Sequence, residues 1–520
     1  TTMPPARAST EPWVAVPLNR WEPPHPVTAA LLAGQLTTPK PETEKALPRS
    51  PELASALAQL NRRWGNPVDE ELKSWLSGAS VVVAGQQPGL WGGPLLSLVK
   101  ACAVAAEVAR LREAGQPAVG FFWLETRDDD LPEMGWGRVV VGGQLLEARE
   151  SWTRGEACGF AAVLSPLSSE RLQEIPQDAL PPGGLEAFTV ARECFAPGQR
   201  LGEACGLFFA RLLRGLGLVL VDASLPELAH ASAWAAQKIL EKLEEAWGCL
   251  EHRARELAGQ GLPLPLRLRR DLLPFFRLEQ GRRRRLAAKS AFRLLSELAH
   301  HPERLAPNVW LRPLLQDAAL GTTTAILGSS ELAYHWQAQD LWELAGVSQP
   351  RWQLRPHITV VGPAERRWAE KLGVAPEELL SPRLPRRLLR TSGLVRDWER
   401  LTQKWLADLQ RFAENARAEQ PSLTGDLEAT LKKLMGSFSW LAHRLETRAE
   451  ERLQLERQRF FRLRQSLRPL GQPQERALSV LSPLLALGMD FPIRLVEALK
   501  ALPPDPNAMH LLFWKPGGPW

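Results

Sequence analysis

Three adjacent carboxylates, Asp128, Asp129 and Asp130, follow an apolar run at 118–124. Carboxylates in that position can hold an ammonium group or sugar hydroxyls, offer oxygen ligands to Mg²⁺, or take a proton from an amine. A solvated loop in which Asp128 caps a helix is the plainer alternative. Upstream, Gly85-Gln86-Gln87-Pro88-Gly89-Leu90-Trp91-Gly92-Gly93 precedes an apolar segment of helical period that opens at Pro94. Such a turn before a helix presents free backbone N–H groups and the positive end of the helix dipole to an anion. Gly85, Gly89, Gly92 and Gly93 permit close approach, and Gln86 and Gln87 add amide donors and acceptors. Carboxylates or phosphates are the ligands that suit it. The spacing is neither G-x-G-x-x-G nor a P-loop, so glycines that only make a tight turn compete with this reading.

The elements that position these groups can be read around them. Residues 81–84 form a short apolar strand, 94–114 a helix and 118–124 a second buried strand, which together make a βαβ unit. In an open parallel sheet, ligands bind outside the carboxyl ends of the strands, so the turn and the aspartates should share one crevice. Residues 217–222 and 323–327 read as further parallel strands, the latter running into Gly328-Ser329-Ser330-Glu331, and 358–361 as a final one. Arg312, Gln316, Glu331 and Arg355 come from distant parts of the chain that this sheet would gather. Arginine is the better fork for a carboxylate or phosphate, although each of these residues is as readily a structural ion pair. His335 and His357 are weaker acid–base candidates.

The fold class expected is α/β, a parallel-sheet core with helical insertions and an antiparallel coiled-coil arm. Residues 1–225 supply the first part of the core behind a proline-rich, extended N-terminal stretch. Residues 226–305 are a helical connecting insertion, 306–385 the second part of the core, 386–470 the coiled-coil arm and 471–520 a C-terminal segment. In the arm, Leu427, Leu431, Leu434, Phe438, Leu441 and Leu445 alternate spacings of four and three, with charged residues between them. Pro421 and Gly425 break the pattern into two antiparallel helices. The stripe resumes at Phe460, Leu463 and Leu467 and is too long for one hairpin to cover, so a homodimer is expected.

Bulk composition narrows the class. With 520 residues, 44% hydrophobic and 23% charged, the chain is a globular protein of about three domain-sized units. No apolar run is long enough to cross a bilayer, and residues 1–26 lack the apolar centre of a signal peptide, so a cytoplasmic location is expected. The five cysteines have no CxxC pair and no accompanying histidine pattern, which points to reduced thiols and to no protein-bound metal. The net charge of +6 is concentrated at Arg267, Arg269, Arg270 and Arg282 to Arg285. Without an aromatic-interleaved groove these suggest a solvated face or a site for an acidic metabolite rather than for nucleic acid.

The motifs then converge on a family. Val83-Ala84-Gly85-Gln86-Gln87-Pro88-Gly89-Leu90 resembles the V-T-G-Q-Q-x-G-L signature of BshC, the cysteine-adding family of bacillithiol biosynthesis. Phe122-Trp123-Leu124 before the acidic motif, residues 307–317, residues 328–334, Arg355 and Gln474-Glu475-Arg476 are similar to that family in the same order. The resemblance runs from about residue 53 to residue 510. It implies a Rossmann-like core with connecting insertions and a coiled coil that pairs subunits. It also implies a ligase that joins cysteine to glucosaminyl malate through an amide bond, giving the low-molecular-weight thiol bacillithiol. Activating a carboxylate in water implies ATP or another nucleotide with Mg²⁺ as cosubstrate. On this reading Asp128 and Asp130 are the catalytic candidates. The substrate or anion contacts are Gly85, Gln86, Gln87, Gly89, Gly92, Gly93, Arg312, Gln316, Glu331 and Arg355. The family's E-D-H-D-F-D-E stands here as Arg127-Asp128-Asp129-Asp130-Leu131-Pro132-Glu133, and its G-P-G-E as Gly328-Ser329-Ser330-Glu331. An aspartate where the family has histidine changes the proton chemistry available near neutral pH. Another Rossmann-type nucleotide-dependent ligase or nucleotidyltransferase, or a non-catalytic dimeric binding protein of the same fold, are the alternatives. No H-I-G-H or K-M-S-K-S motif supports the first of these.

Overall fold

A computed structural model describes residues 13–37, 49–372, 380, 393–452, 462–503 and 505–514. The expected junction at 385/386, Phe460, and residues 1–12 and 38–48 of the N-terminal stretch lie outside them. The strands are β1 (Trp13–Pro17), β2 (Ser80–Gln86), β3 (Ala118–Leu124), β4 (Trp136–Val141), β5 (Gln144–Arg149), β6 (Leu218–Asp222), β7 (Leu272–Glu279), β8 (Arg282–Ala287), β9 (Leu305–Pro307), β10 (Thr324–Leu327), β11 (Arg351–Leu354), β12 (His357–Val361) and β13 (Ala508–Phe513). Five of them form one parallel sheet in the order β11-β10-β2-β3-β6. The chain is an α/β protein with a Rossmann-like core. Val81 to Ala84 and every residue of β3 are buried, as a sheet covered on both faces requires. The helix Leu96–Glu113 lies on that sheet and is buried at every position from Leu96 to Val108. From β2 the chain continues to β3 and β6 on one side, while β10 and β11 add on the other. The strand order therefore reverses at β2, and a crevice opens there at the carboxyl ends.

Three expectations are corrected. The segment 358–361 is a strand, β12, but it pairs in parallel with β13, and β13 pairs antiparallel with β1 in a separate sheet. Only Arg355 and Pro356 separate β11 from β12. A parallel neighbour in the same sheet needs a crossover of about a dozen residues or more, so β12 must leave it. The edge strand of the core sheet is β11 instead. Second, residues 226–305 are not simply helical. The helices Pro226–Glu241, Leu243–Gly259 and Ala291–His300 are joined there by the β7–β8 hairpin, which also pairs with β9. Its turn places Gln280 and Gly281 at φ of +50° and +75°. Third, the N-terminal stretch is not merely extended, since β1 joins a sheet and Pro26–Leu32 is a helix.

The chain separates into two compact units, one holding the described residues up to Pro363 and from Gln472 onward, the other those within Ala364–Gly471. In the second, the helices Gly393–Glu419 and Thr424–Arg452 run antiparallel about the turn Pro421–Leu423. Trp398 and Trp405 both meet Phe438, with ring centroids 5.9 and 5.8 Å apart, and Arg417 bonds Glu428 at 3.1 Å near the turn.

All five cysteines are free. Burial pushes the Cys158 and Cys205 thiols up to about 12 and the Cys194 thiol to about 11, and raises those of Cys102 and Cys249 as well. Among the described residues, no helix is long and apolar enough to cross a membrane.

Candidate functional site

A cavity of about 610 Å³ opens where β2, β3, β10 and β11 end. Each strand hands it polar groups from the residues just beyond its carboxyl end, where the backbone leaves the sheet. At the end of β2 stands Gln86 and past it Gln87, past β3 Glu125 and Asp128, past β10 Gly328 to Glu331, and past β11 Arg355.

Lys100 sits at the centre of the β2 end. It is the one charged residue among 94–106, on the fully buried part of the helix Leu96–Glu113, and only 2% exposed. Its Nζ donates to the Gly85 carbonyl at 2.8 Å, to Gln86 Oε1 at 3.1 Å and to Glu331 Oε2 at 2.6 Å. Burial, aided by the charges of Arg355 and Arg312, pushes this ammonium below the usual lysine range against the pull of Glu331. Burial alone would raise Glu331, yet Lys100, the Gly328 N–H at 2.6 Å and Arg312 hold its carboxyl at about 2. That N–H belongs to the N-cap residue of the helix Ser329–Ala338, so the site residue is fixed by the helix it begins.

At the β3 end, Glu125 accepts from Trp123 Nε1 and Arg127 Nε, each at 3.1 Å, and lies 3.9 Å from Arg312. Against the effect of burial, Arg127, Arg312 and Arg283 hold it at about 2. Arg312 also donates to the Tyr334 hydroxyl at 2.9 Å, whose pKa burial pushes up to about 12. Asp128 accepts from Gln87 Nε2 at 2.6 Å and from the backbone N–H groups of Asp129 and Asp130 at 2.7 and 3.3 Å. It therefore braces its own loop rather than capping a helix. Arg283, carried in by the β7–β8 hairpin, lies 3.4 Å from Asp128 and 3.6 Å from Asp129. Glu133 completes this wall, with its pKa raised by burial and by the nearby Asp130 and Asp128.

Arg355 is held from behind. Its Nη1 donates to Glu475 Oε1 at 2.7 Å, and Glu475 also faces His357 Nδ1 at 3.2 Å and the Ile358 N–H at 3.2 Å. Glu22 lies 3.3 Å from His357 Nδ1 and pairs with Arg476. Burial alone would raise the Glu22 carboxyl, but His357, Arg355 and Arg476 keep it well below the usual carboxylate range. Glu22, His357 and Glu475 have ligand atoms close enough to share a metal ion. With Arg355 and Arg476 already bonded to those oxygens, a dication would have to displace two guanidinium groups, so the cluster fits a charge anchor better. Arg355 Nη2 is buried, has no hydrogen-bond partner and belongs to a side chain that lines the cavity.

Several sequence expectations change here. Gln86, Gln87, Gly89, Asp128, Arg312, Glu331 and Arg355 do line one cavity, whereas Gly85, Gly92, Gly93, Asp130 and Gln316 do not. The expected backbone cradle for an anion is absent at the glycines. The Gly89 N–H points at Cys205 Sγ, those of Gly92 and Gly93 go to Gly89 and Leu90 carbonyls, and that of Leu95 goes to Leu478. The turn is folded so tightly that a Cβ on Gly89 would sit 2.5 Å from Gly93 Cα. The positive charge facing the cavity comes from side chains instead. Asp130 pairs with the exposed Arg154, and Gln316 lies with Arg127 on a separate small pocket. His335 is buried and stacks on Tyr334, and burial lowers it to about 4, so the ring is uncharged near neutral pH. Lys100, Glu125, Glu133, Arg283 and Arg476 were not marked as site residues from sequence. For Lys100 a signal existed, a lone charge in an otherwise apolar helical run, because such a charge must find partners when buried.

The BshC N-terminal Rossmann-like domain of bacillithiol biosynthesis matches residues 35–356, and the BshC C-terminal coiled-coil domain matches residues 358–511. A relative in Salinibacter ruber is 27% identical over 465 residues, covering 82% of this chain and 83% of its own length. One in Koribacter versatilis is 27% identical over 481 residues, covering 87% and 88%. One in Thermus thermophilus is 28% identical over 465 residues, covering 84% and 91%. All three carry the provisional name cysteine ligase BshC.

Proposed function

This chain belongs to the BshC family of bacillithiol biosynthesis, and from that premise we propose that it is a ligase joining the carboxyl of cysteine to the amine of glucosaminyl malate. The observation that carries the reading is the charge make-up of the cavity. Glucosaminyl malate brings two carboxylates, sugar hydroxyls and an amine. The cavity offers Lys100, Arg312, Arg355 and Arg476 together with Glu125, Asp128 and Glu133. Arg355 is a pre-oriented charge for a malyl carboxylate, since its guanidinium is already fixed by Glu475 and lies 3.7 Å from Glu22. Asp128, fixed by Gln87, is placed to hold the ammonium and to take its proton as the amine attacks. The departure of Asp129 from the family histidine is met by Arg283, which neutralises the extra carboxylate.

Amide formation from a free carboxylate needs activation, which a nucleoside triphosphate with Mg²⁺ supplies. The cavity oxygens that suit such an ion are those of Asp128 and Glu133. Binding of glucosaminyl malate to the full chain is the direct test, by titration calorimetry. Asp128→Asn is expected to weaken it about tenfold, the loss of one charge-assisted contact worth about 1.4 kcal/mol, alongside a lower melting temperature from breaking the pair with Arg283. Failure of the unaltered protein to bind the compound at millimolar concentration would sink this reading.

The helical unit belongs to the same proposal as the dimer interface. Phe412 is 63% exposed and Trp440 62%, and Leu394 and Met435 are also open on this hairpin. Large apolar side chains left open on a helical hairpin call for a cover, and a second copy of the chain is the cover proposed. Light scattering at micromolar concentration is expected to give twice the 57.9 kDa chain mass. Phe412→Glu with Trp440→Glu is expected to give the single-chain mass. A monomeric unaltered protein contradicts the dimer.

A further inference from the structure

Of the arginine run at 267–285 only Arg283 has a part in the site described so far, and the structure gives others a place. A groove of about 390 Å³ adjoins the cavity and shares Asn308 and Val309 with it as a common wall. Its floor includes Trp247, Trp310 and Phe276, and its rim carries Arg267, Arg269 and Arg285. The two tryptophans meet edge to face at 5.6 Å. Side chains two apart on a strand share a face and stand roughly 7 Å apart. On β8 this puts Arg283 in the cavity and Arg285 in the groove. Phe276, opposite Arg285 in the hairpin, also lies under the Arg283 guanidinium at 5.2 Å. A row of positive charge thus runs from the groove to Asp128. The row is anchored to the acidic loop's neighbourhood, because the Cys158 N–H donates to the Gly281 carbonyl at 2.6 Å.

We propose that this groove binds a nucleoside triphosphate, with its base against the aromatic lining and its phosphates on Arg267 and Arg285, directed along β8 towards the cavity. The proposal rests on the ligase reading above, which requires a carboxylate in the cavity to be activated. Aromatic side chains in the lining, with the half-buried Phe276 the most open of them, and guanidinium groups on the rim suit a base and phosphates together. The local charge favours a small anion over a nucleic-acid backbone. Arg270 is bonded to Glu244 and Glu251 and Arg284 to Glu279, so the patch is largely neutralised outside the groove, and on the rim Arg269 is already paired with Asp271, which leaves the phosphates to Arg267 and Arg285.

Calorimetry on the full chain with MgATP, AMP, inorganic triphosphate and a single-stranded oligonucleotide tests this. The expected result is that MgATP binds more tightly than AMP or triphosphate. In Arg267→Gln with Arg285→Gln it should weaken tenfold or more, while melting temperature and glucosaminyl malate affinity stay within experimental spread. Equal MgATP affinity in the double variant overturns the proposal, as does AMP binding as tightly as MgATP. An oligonucleotide that binds more tightly than MgATP and is lost in the same variant also overturns it and makes the patch a nucleic-acid surface. If MgATP binding depends on both arginines while glucosaminyl malate never binds, the groove stands and the ligase reading fails.

Discussion

Glu475→Ala is expected to lower the stability of the chain by about 3–5 kcal/mol, the cost of removing one partner from a buried ion pair. Glu475 is fully buried and serves three donors or near-donors, Arg355 Nη1, His357 Nδ1 and the Ile358 N–H. Its neighbour Gln474 bonds both the N–H and the carbonyl of Val360, at 2.8 and 3.0 Å. Together the two side chains complete the outer edge of β12 as a strand would. Alanine at 475 leaves a guanidinium and a backbone N–H dry and unpaired, and only Glu22 remains to balance two arginines. Glu475→Gln keeps an acceptor and should lose less. Urea unfolding of both variants measures the difference, and an alanine variant as stable as the parent rules out the anchor.

Lys100→Met should have the largest effect on turnover. If Lys100 organises the β2 end of the site, the cysteine-adding rate falls by about 10²-fold or more, comparable to removing one pre-oriented charge from a dry active site. The lysine ties Gly85, Gln86 and Glu331 into one arrangement, so its loss frees Glu331 to pair with Arg312 and withdraws that arginine from substrate. The variant has a second signature in pH. Glu331 is held at about 2 in the fold against an ordinary value of 4.5. A depressed carboxyl stabilises the fold fully above its unfolded pKa and loses that contribution as pH falls through the folded value. The stability gap between parent and Lys100→Met should therefore be widest above pH 4.5 and shrink towards pH 2. A gap unchanged across that window, with normal turnover, would remove Lys100 from the site.

The core sheet could be read from sequence because strands buried on both faces leave continuous apolar runs, as at Val81 to Ala84 and in β3. β11 escaped notice because an edge strand of Arg351-Trp352-Gln353-Leu354 buries only its last residue. The β7–β8 hairpin was hidden by its own charges, since most of β8 is exposed and its arginines look like a solvated run. Gln87, Asp128 and Glu331, which line the cavity, could be singled out because polar residues just after buried strands have one place to go, whereas Arg312 and Arg355 were singled out by the family resemblance. The glycine turn was misread for a reason that composition cannot reveal. Its N–H groups are taken by Cys205, by the turn itself and by Leu478, a partner far along the chain. Glu22 was out of reach for the same reason, lying 335 residues from His357.

The burial of four of the five thiols, with Cys249 half-buried, has a practical consequence for a protein proposed to work among reactive thiols. With the Cys158, Cys194 and Cys205 sulfurs held far above neutral pH and out of solvent, the native chain offers almost no thiolate to exchange with cysteine or with a thiol product. The same property makes them silent reporters. An alkylating reagent should modify them only when the segment around each one opens, and the rate at each cysteine then clocks that opening. Cys205 sits against the Gly89 turn and Cys158 beside the hairpin tip, so two of these clocks stand at the edges of the site. Ligand that closes the cavity should slow both, leaving Cys249, on the helix Leu243–Gly259, ticking at its own rate.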